Sequence, residues 1–355
     1  MKSTRRILIG LVVVACLSFC SVAFAEIRYT ITDLGTLGGS SSYSYGINDG
    51  GQVVGNGSTA TAGYNHAFLY SGGRMADLGT FGGTGSTGYS INDSGQVTGE
   101  ARTAASGYTH IFLYSGGVMT DLGTLGESGS GQSINNSGQI TGYGTTAAHK
   151  LHALLYSKGV MTDLGTLGGS YSLGMGINDS GQVTGMAHTV AGDYHAFLYS
   201  NGAMTDLGTL GGISSYGSKI NASGQIAGYS YTSNGYRHAF LYSSGVMIDL
   251  GDIGGDSIGC GINDAGQVTG WGYTATGDSH AFLYSGGVIT DLNNLIDPGS
   301  GWTIKRGGDI NNLGQICGYG VNPQGQEHAV LLTPVPEPAT LLLFGLGGWF
   351  LRRNK

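Results

Sequence analysis

Between residues 87 and 122, runs of branched and aromatic side chains alternate with polar, glycine-bearing breaks. Thr87 to Ile91 predicts a strand entering a turn at Asn92-Asp93-Ser94-Gly95, and Gln96 to Gly99 predicts the strand that leaves it. A polar loop with Gly107 follows. His110 to Tyr114 has the branched and aromatic composition of a third strand. Gly116-Gly117 is a two-residue turn of the primed type, and Val118 to Leu122 returns as a fourth strand. At Asn201-Gly202 the same turn carries a strong hairpin signal.

This pattern is written seven times. Ile-Asn-x-x-Gly-Gln recurs with Ile at 47, 91, 134, 177, 220, 262 and 310. A His-Ala-Phe-Leu-Tyr phrase starts at His66, His110, His152, His195, His238, His280 and His328. An Asp-Leu-Gly-Thr-Leu-Gly-Gly phrase starts at Asp33, Asp77, Asp121, Asp163, Asp206, Asp249 and Asp291. From His to the next Asp is 11 residues in every case, which suits a tight hairpin. From Asp to Ile is 13 or 14, except 19 between Asp291 and Ile310, which suits a loop that accepts insertion.

Four short strands, a to d, in a unit of some 43 residues predict an all-β chain, with each unit a four-stranded antiparallel blade of a β-propeller. A β-helix is the second reading, although its coils are usually shorter. The seventh unit ends after strand c, at Ala329 to Leu332, whereas residues 27–34 form a lone strand d at the start. The surplus strand at one end matches the missing strand at the other. The expectation is therefore a seven-bladed propeller over residues 26–333, closed by its N-terminal strand so that no sheet edge stays open.

Both ends of the chain carry addresses. Residues 1–25 read as a signal peptide: Lys2, Arg5 and Arg6, an apolar stretch from Ile7 to Phe19, and Ala23-Phe24-Ala25 as the cleavage site for signal peptidase. A retained membrane anchor is the alternative. Residues 334–355 hold Val335-Pro336-Glu337-Pro338, an uncharged run from Ala339 to Leu351, and Arg352, Arg353 and Lys355. The run is shorter than the ~20 residues of a comfortable span. These three parts in order resemble the PEP-CTERM sorting signal of Gram-negative bacteria. The resemblance implies transient membrane anchoring, processing near Pro336, Glu337 and Pro338 by an exosortase-type enzyme, and delivery to the cell surface or extracellular matrix. A plain tail anchor is the alternative. The repeat itself resembles the HAF family of extracellular repeats, with departures at Ile111, Leu154, Val330, Asp252-Ile253 and the segment Leu292 to Leu295. That family brings an extracellular expectation and no known chemistry.

Composition sharpens this picture. Glycine supplies 69 of 355 residues, several times the usual ~7%, yet most of the second unit's glycines recur at matching positions in the others. They mark turns and close approaches rather than a floppy linker. Residues 26–333 hold nine Lys and Arg against 21 Asp and Glu, a net charge of −12. Such a surface argues against nucleic acid and anionic lipid as partners. Cys260 and Cys317 are the body's two cysteines, and an oxidising compartment would permit a bridge between them.

Seven histidines in one column invite a metal or catalytic reading. Hairpin geometry gives a structural one. With Gly72-Gly73 as the turn, Asp77 becomes a diagonal neighbour of His66 on the same face. The expected repeated pairs are His66–Asp77, His110–Asp121, His152–Asp163, His195–Asp206, His238–Asp249 and His280–Asp291. The Asn-Asp-x-Gly turns lack the rest of a calcium loop and read as backbone turns. No cofactor motif, metal set or catalytic motif is found, so no cofactor, metal or catalytic residue is assigned. His149 and His188 fall outside the repeat and are expected in loops.

Function would sit where units differ. Trp302 in the long segment into the seventh unit, with Trp271 and Tyr273 in the b–c segment of the sixth, is the candidate ligand-binding set, since such rings suit sugar faces and protein interfaces. The competing reading is that either Trp packs against a blade. The functional expectation is an exported binding or structural protein whose partners are envelope proteins or extracellular polysaccharide. A propeller enzyme of polysaccharide lyase or glycosidase type and a passive matrix spacer are the alternatives. The enzyme would need loop acids such as Glu100, Glu127, Asp193, Asp256 and Asp278 to converge.

Overall fold

The structure is a computed structural model and describes residues 28–336. Tyr29–Pro334 forms one compact unit; Arg28, Val335 and Pro336 group with the chain ends in a second. The signal-peptide reading at Ala23 and Ala25, and the sorting residues Glu337 and Pro338, lie outside the described residues.

The described residues hold 28 β-strands and two short 3-10 turns. The strands assemble in antiparallel fours. In the second unit they are Gly82–Ile91, Val97–Thr103, Thr109–Ser115 and Val118–Gly123. Strand a starts five residues earlier than its apolar pattern suggests. Gly82 pairs with Thr103 and Ser86 with Ala101, with a bulge between them. The glycines that hide this strand from a composition reading are what let it bulge. The c–d hairpin turns at Gly116 and Gly117, with φ of 59° and 88°. Lys158, Asn201 and Ser244 hold φ of 51–52° at the first turn position of three other units.

Five groups form separate four-stranded sheets, and the first two units join at a single bridge, Asn65 to Gly85. The N-terminal strand Arg28–Asp33 is the hydrogen-bonded neighbour of Glu327–Val335, which supplies the seventh unit's fourth strand. Leu34 N–H donates to the Ala329 carbonyl at 3.0 Å, as Leu78 N–H donates to that of Ala67 at 2.9 Å.

The apolar residues pack between consecutive sheets. Val54 and Ala67 of one sheet meet Ile91, Val97, Ala101 and Phe112 of the next. Ile47, Val53 and Phe68 of the first unit share a cluster with Cys317, Ala329 and Leu331 of the seventh. Phe68, Phe112, Phe197, Phe240 and Phe282 are fully buried. Each needs a glycine beside it: a Cβ at Gly99 would overlap the Thr87 carbonyl oxygen and stand 2.8 Å from the Phe112 ring.

The Asn of Ile-Asn-x-x-Gly-Gln does two jobs. Asn92 Oδ1 accepts from Gln96 N–H at 3.0 Å, closing its own turn. Its Nδ2 reaches the next unit and donates to the Asn135 carbonyl at 3.0 Å. The chain of donors runs from Asn48 through Asn92, Asn135, Asn178, Asn221 and Asn263 to Asn311, whose Nδ2 donates to the Asn48 carbonyl. Read as a turn residue from sequence, this Asn is also the link between units.

A candidate binding cavity at the variable repeat positions

Strand a of every unit carries one residue two positions before the repeated Ile: Tyr45, Tyr89, Gln132, Met175, Ser218, Cys260 and Gly308. The flanking phrases repeat, and this column does not. All seven residues line one cavity of about 420 Å³. Tyr216, Ile258 and Arg306, two positions further back on strand a, add to its wall, as do Tyr229 and Trp271 on strand b and Lys219. Antiparallel pairing places Trp271 opposite Ile258 and Tyr229 opposite Tyr216.

Five aromatic rings, Tyr45, Tyr89, Tyr216, Tyr229 and Trp271, stand on the wall. Tyr216 and Tyr229 stack with ring centroids 5.4 Å apart, and Tyr45 and Tyr89 lie 5.7 Å apart. Burial pushes the phenols of Tyr45, Tyr89, Tyr216 and Tyr229 above the ordinary tyrosine range, so each keeps its O–H donor at neutral pH. Lys219 Nζ lies 3.2 Å from an Asp309 carboxylate oxygen. Burial raises the Asp309 carboxyl above its usual range, while Lys219 pulls it down. Arg306 has no ion pair among the described residues; its Nη2 contacts Cys260 Sγ at 3.6 Å, and its enclosed Nε has no partner.

At the next level along strand a, the a–b turns surround a smaller cavity of about 190 Å³ bearing Asp49, Asp93, Asp179 and Asp264. Asn136 Nδ2 donates to Asp93 and Asp179, and Asn312 Nδ2 to Asp49 and Asp264. The amides thus bridge Asp93 to Asp179 and Asp49 to Asp264, while Asp49 N–H donates to the Asp93 carboxylate at 3.1 Å. Among the described residues, no group of three or more His, Cys, Asp or Glu side chains is placed to hold a metal ion.

The candidate aromatic set does not stay together. Trp271 lines the large cavity, and Tyr273 meets it edge-on at 5.5 Å. Both lie on strand Val268–Tyr273 rather than in a b–c loop, since the pairing with the next strand runs unbroken from Val268 with Tyr284 to Tyr273 with Ser279. Trp302 packs instead against the cluster of Leu292, Leu295, Ile296 and Ile304, in the long segment that enters the seventh unit.

The six histidines within the repeats each place Nδ1 2.6–2.9 Å from the nearer carboxylate oxygen of the expected Asp. His328 and Asp33 make a seventh pair, at 2.9 Å, between the two ends of the unit. The Asp also accepts from the backbone two residues on, as Asp77 does from Gly79 N–H at 2.7 Å, which fixes the start of the d–a loop. Of the two other histidines, His149 sits in a turn, 3.6 Å from Glu127. His188 lies on strand Val183–Thr189 rather than in a loop, its ring centroid 4.0 Å from that of Tyr194. The five acids do not meet at the large cavity. Glu100 is on strand Val97–Thr103, within 3.5 Å of Tyr89 Oη, and burial raises its carboxyl above the usual range. Asp256 pairs with Arg237 at 2.8 Å. Cys260 and Cys317 are both buried and not bridged.

The cavity residues escape a reading of the sequence that follows what repeats. Their signal is the reverse: a column of six residue types in seven units, set two positions before an Ile that holds in all of them.

Comparisons with known proteins bear on address and fold. Residues 334–355 match the PEP-CTERM protein-sorting motif, which marks bacterial proteins for export and surface sorting and is processed by exosortase-type machinery. No curated protein matches the chain. Among solved structures it is similar to a puromycin-hydrolysing peptidase from Mycobacterium tuberculosis, at 10% identity and a TM-score of 0.55 over 85% of this chain and 56% of that one. It is also similar to a prolyl endopeptidase, at 12% identity and a TM-score of 0.51 over 74% and 42%. A third is a six-bladed β-propeller fungal lectin from Aleuria aurantia, at 12% identity and a TM-score of 0.38 over 71% and 94%. This chain thus spans about half the length of the two peptidases or less, and the likeness to them is one of fold alone.

Proposed function

We propose that the chain is a seven-bladed β-propeller, closed by its N-terminal strand, that serves as a binding protein at the surface of a Gram-negative bacterium or in its extracellular polysaccharide matrix. Closure rests on the pairing of Arg28–Asp33 with Glu327–Val335 and on the Asn311-to-Asn48 link. Export rests on the sorting motif, with residues 1–25 as the cleaved signal peptide. HAF-type repetition supplies the scaffold.

The observation that carries a binding role is the convergence of seven positions of one variable column, occupied by six residue types, on one cavity. A passive spacer has no need for such variety at one level of an otherwise uniform repeat. The volume falls in the ~300–1,000 Å³ range of small-molecule sites. Tyrosine and tryptophan rings with polar tips suit the alternating C–H faces and hydroxyls of a sugar. The described lining holds no Asp or Glu, so a two-carboxylate glycosidase mechanism finds no site there. Binding of the purified protein to glycans and envelope extracts, compared with its Trp271→Ala variant, tests this reading. Loss of binding with an unchanged unfolding midpoint supports it. Full binding by the variant places the ligand elsewhere, and absence of any binding by the parent protein favours the spacer.

A further inference from the structure

Arg306 is out of keeping with its surroundings. The body carries a net charge of −12, and a carboxylate partner for a guanidinium is easily found on such a chain. Arg237 has Asp256, and Lys219 has Asp309. Arg306 has the sulfur of Cys260 at 3.6 Å, a weak acceptor, and an Nε with no partner at all. The guanidinium is half-buried with its Nε enclosed, and holding it there with so weak an acceptor is unfavourable. The same position two repeats earlier is Tyr216, and one repeat earlier Ile258, so the fold does not require a cation there. The neighbouring cation is already matched. Asp309 neutralises Lys219, which leaves Arg306 as the one uncompensated charge on the described cavity wall.

We infer that the cavity takes a saccharide bearing a carboxylate, a uronic acid residue, with its anionic group seated against Arg306 and its ring against Trp271 and the tyrosines. This rests on the binding role proposed above and narrows it. A guanidinium offers a planar fork of donors that matches a carboxylate two-to-two, which a neutral sugar cannot use. Gln132, Ser218 and the protonated phenols supply hydrogen bonds for hydroxyls. The negative surface would repel an acidic polymer at long range, so capture is expected to strengthen as salt screens that repulsion and then to level off.

The test is calorimetric titration of the purified protein with a panel of trisaccharides of glucuronate, galacturonate, mannuronate and guluronate, each beside its methyl ester. At least one acid is expected to bind, with its ester at least ~10-fold weaker, in line with the loss of a charge-assisted pair. Arg306→Gln is expected to remove that difference while retaining or raising the unfolding midpoint, because it removes a half-buried charge with no carboxylate partner. Arg306→Lys keeps the charge without the fork and is expected to fall between the two. Equal affinity for acid and ester, undiminished acid binding by Arg306→Gln, or no binding by any uronate overturns the inference. Neutral glycans that bind the parent protein and fail with Trp271→Ala would leave the binding role standing while this inference falls. If no glycan or envelope component binds, both fall.

Discussion

Asn135 tests whether side-chain links hold the units together. The side chain is 4% exposed and engages both its own turn and the next one. Oδ1 accepts from Ser137 N–H at 3.1 Å and Gln139 N–H at 2.9 Å. Nδ2 donates to Gln139 Oε1 at 2.8 Å and to the Asn178 carbonyl at 3.0 Å. Asn135→Ala removes all four. The Asn178 carbonyl keeps its bond from Gly181 N–H, so it loses one of two partners, about 1 kcal/mol. The Gln139 N–H loses its acceptor in a part-buried site, about 1–2 kcal/mol, and the shortened side chain leaves a small void. The total comes to roughly 3 kcal/mol. Asn136, the next residue, is exposed and bonds only to Asp93 and Asp179, so Asn136→Ala is expected to cost under about 1 kcal/mol. Asn135→Asp keeps the turn acceptor, loses the donor between units and sets a carboxylate against a carbonyl, and is expected to be at least as damaging as Ala. Equilibrium urea unfolding measures all three. A midpoint for Asn135→Ala or Asn135→Asp within about 0.5 kcal/mol of the parent would falsify the account of this Asn as the link between units.

Three other outcomes follow from packing and charge. Phe197→Ala, at a fully buried ring, is expected to cost about 3–5 kcal/mol in urea unfolding, and Gly99→Ala is expected to be no milder, since its Cβ overlaps backbone; a loss under about 1 kcal/mol for either contradicts the packing between sheets. Tyr29→Ala empties a buried site on the N-terminal strand and drops the Oη bond to the Gly314 carbonyl; a loss of about 3 kcal/mol with faster proteolysis of the chain's first residues is expected, and unchanged protection would show that this strand does not close the unit. Glu100 has a carboxyl raised by burial, so the folded state holds its proton more tightly than the unfolded chain does. Its contribution is present at low pH and is lost as pH rises through the folded value; Glu100→Gln is therefore expected to gain stability relative to the parent as pH rises from the ordinary carboxyl range through that raised value, and parallel pH profiles would refute the assignment.

Much of the scaffold could be read from spacing. The 11-residue His-to-Asp interval is short enough that one hairpin is the simple way to span it, so the strands, the primed turn and the diagonal His–Asp pair follow from counting. What escaped was set by contacts between units, on which a single-unit pattern is silent. The role of Asn92 toward Asn135 is an example, because a turn Asn looks alike whether its amide faces water or the next turn. The early start of strand a at Gly82 escaped because its residues are small and polar, and its pairing with Thr103 depends on a bulge. Trp302 was grouped with Trp271 because the two lie on consecutive units. Consecutive units share a boundary, but Trp271 lines the cavity while the insertion that carries Trp302 supplies its own apolar cluster, Leu292 to Ile296, for the ring to cover.

The repeat separates the residues that build the scaffold from those that line the cavity by column. Residues that build the unit, such as Phe112, Gly99, Asn92 and the His110–Asp121 pair, face a neighbour that repeats, so one solution serves every unit. Residues two before the repeated Ile line one shared cavity, and seven identical large side chains there would crowd each other. Seven tyrosines would fill the space that Gly308, Ser218 and Cys260 leave open beside Tyr45 and Tyr89. Variation in that column is therefore what makes a cavity available at all, and its contents can change without touching the packing between sheets. Arg306 belongs to that freedom. Its neighbours along strand a, Gly307 and Ile310, answer to the scaffold, since a Cβ at Gly307 would collide with Thr269 and Ile310 is buried. The guanidinium beside them has only the weak acceptor Cys260 Sγ in the fold, and for that reason its substitution is expected to separate the proposed binding from folding.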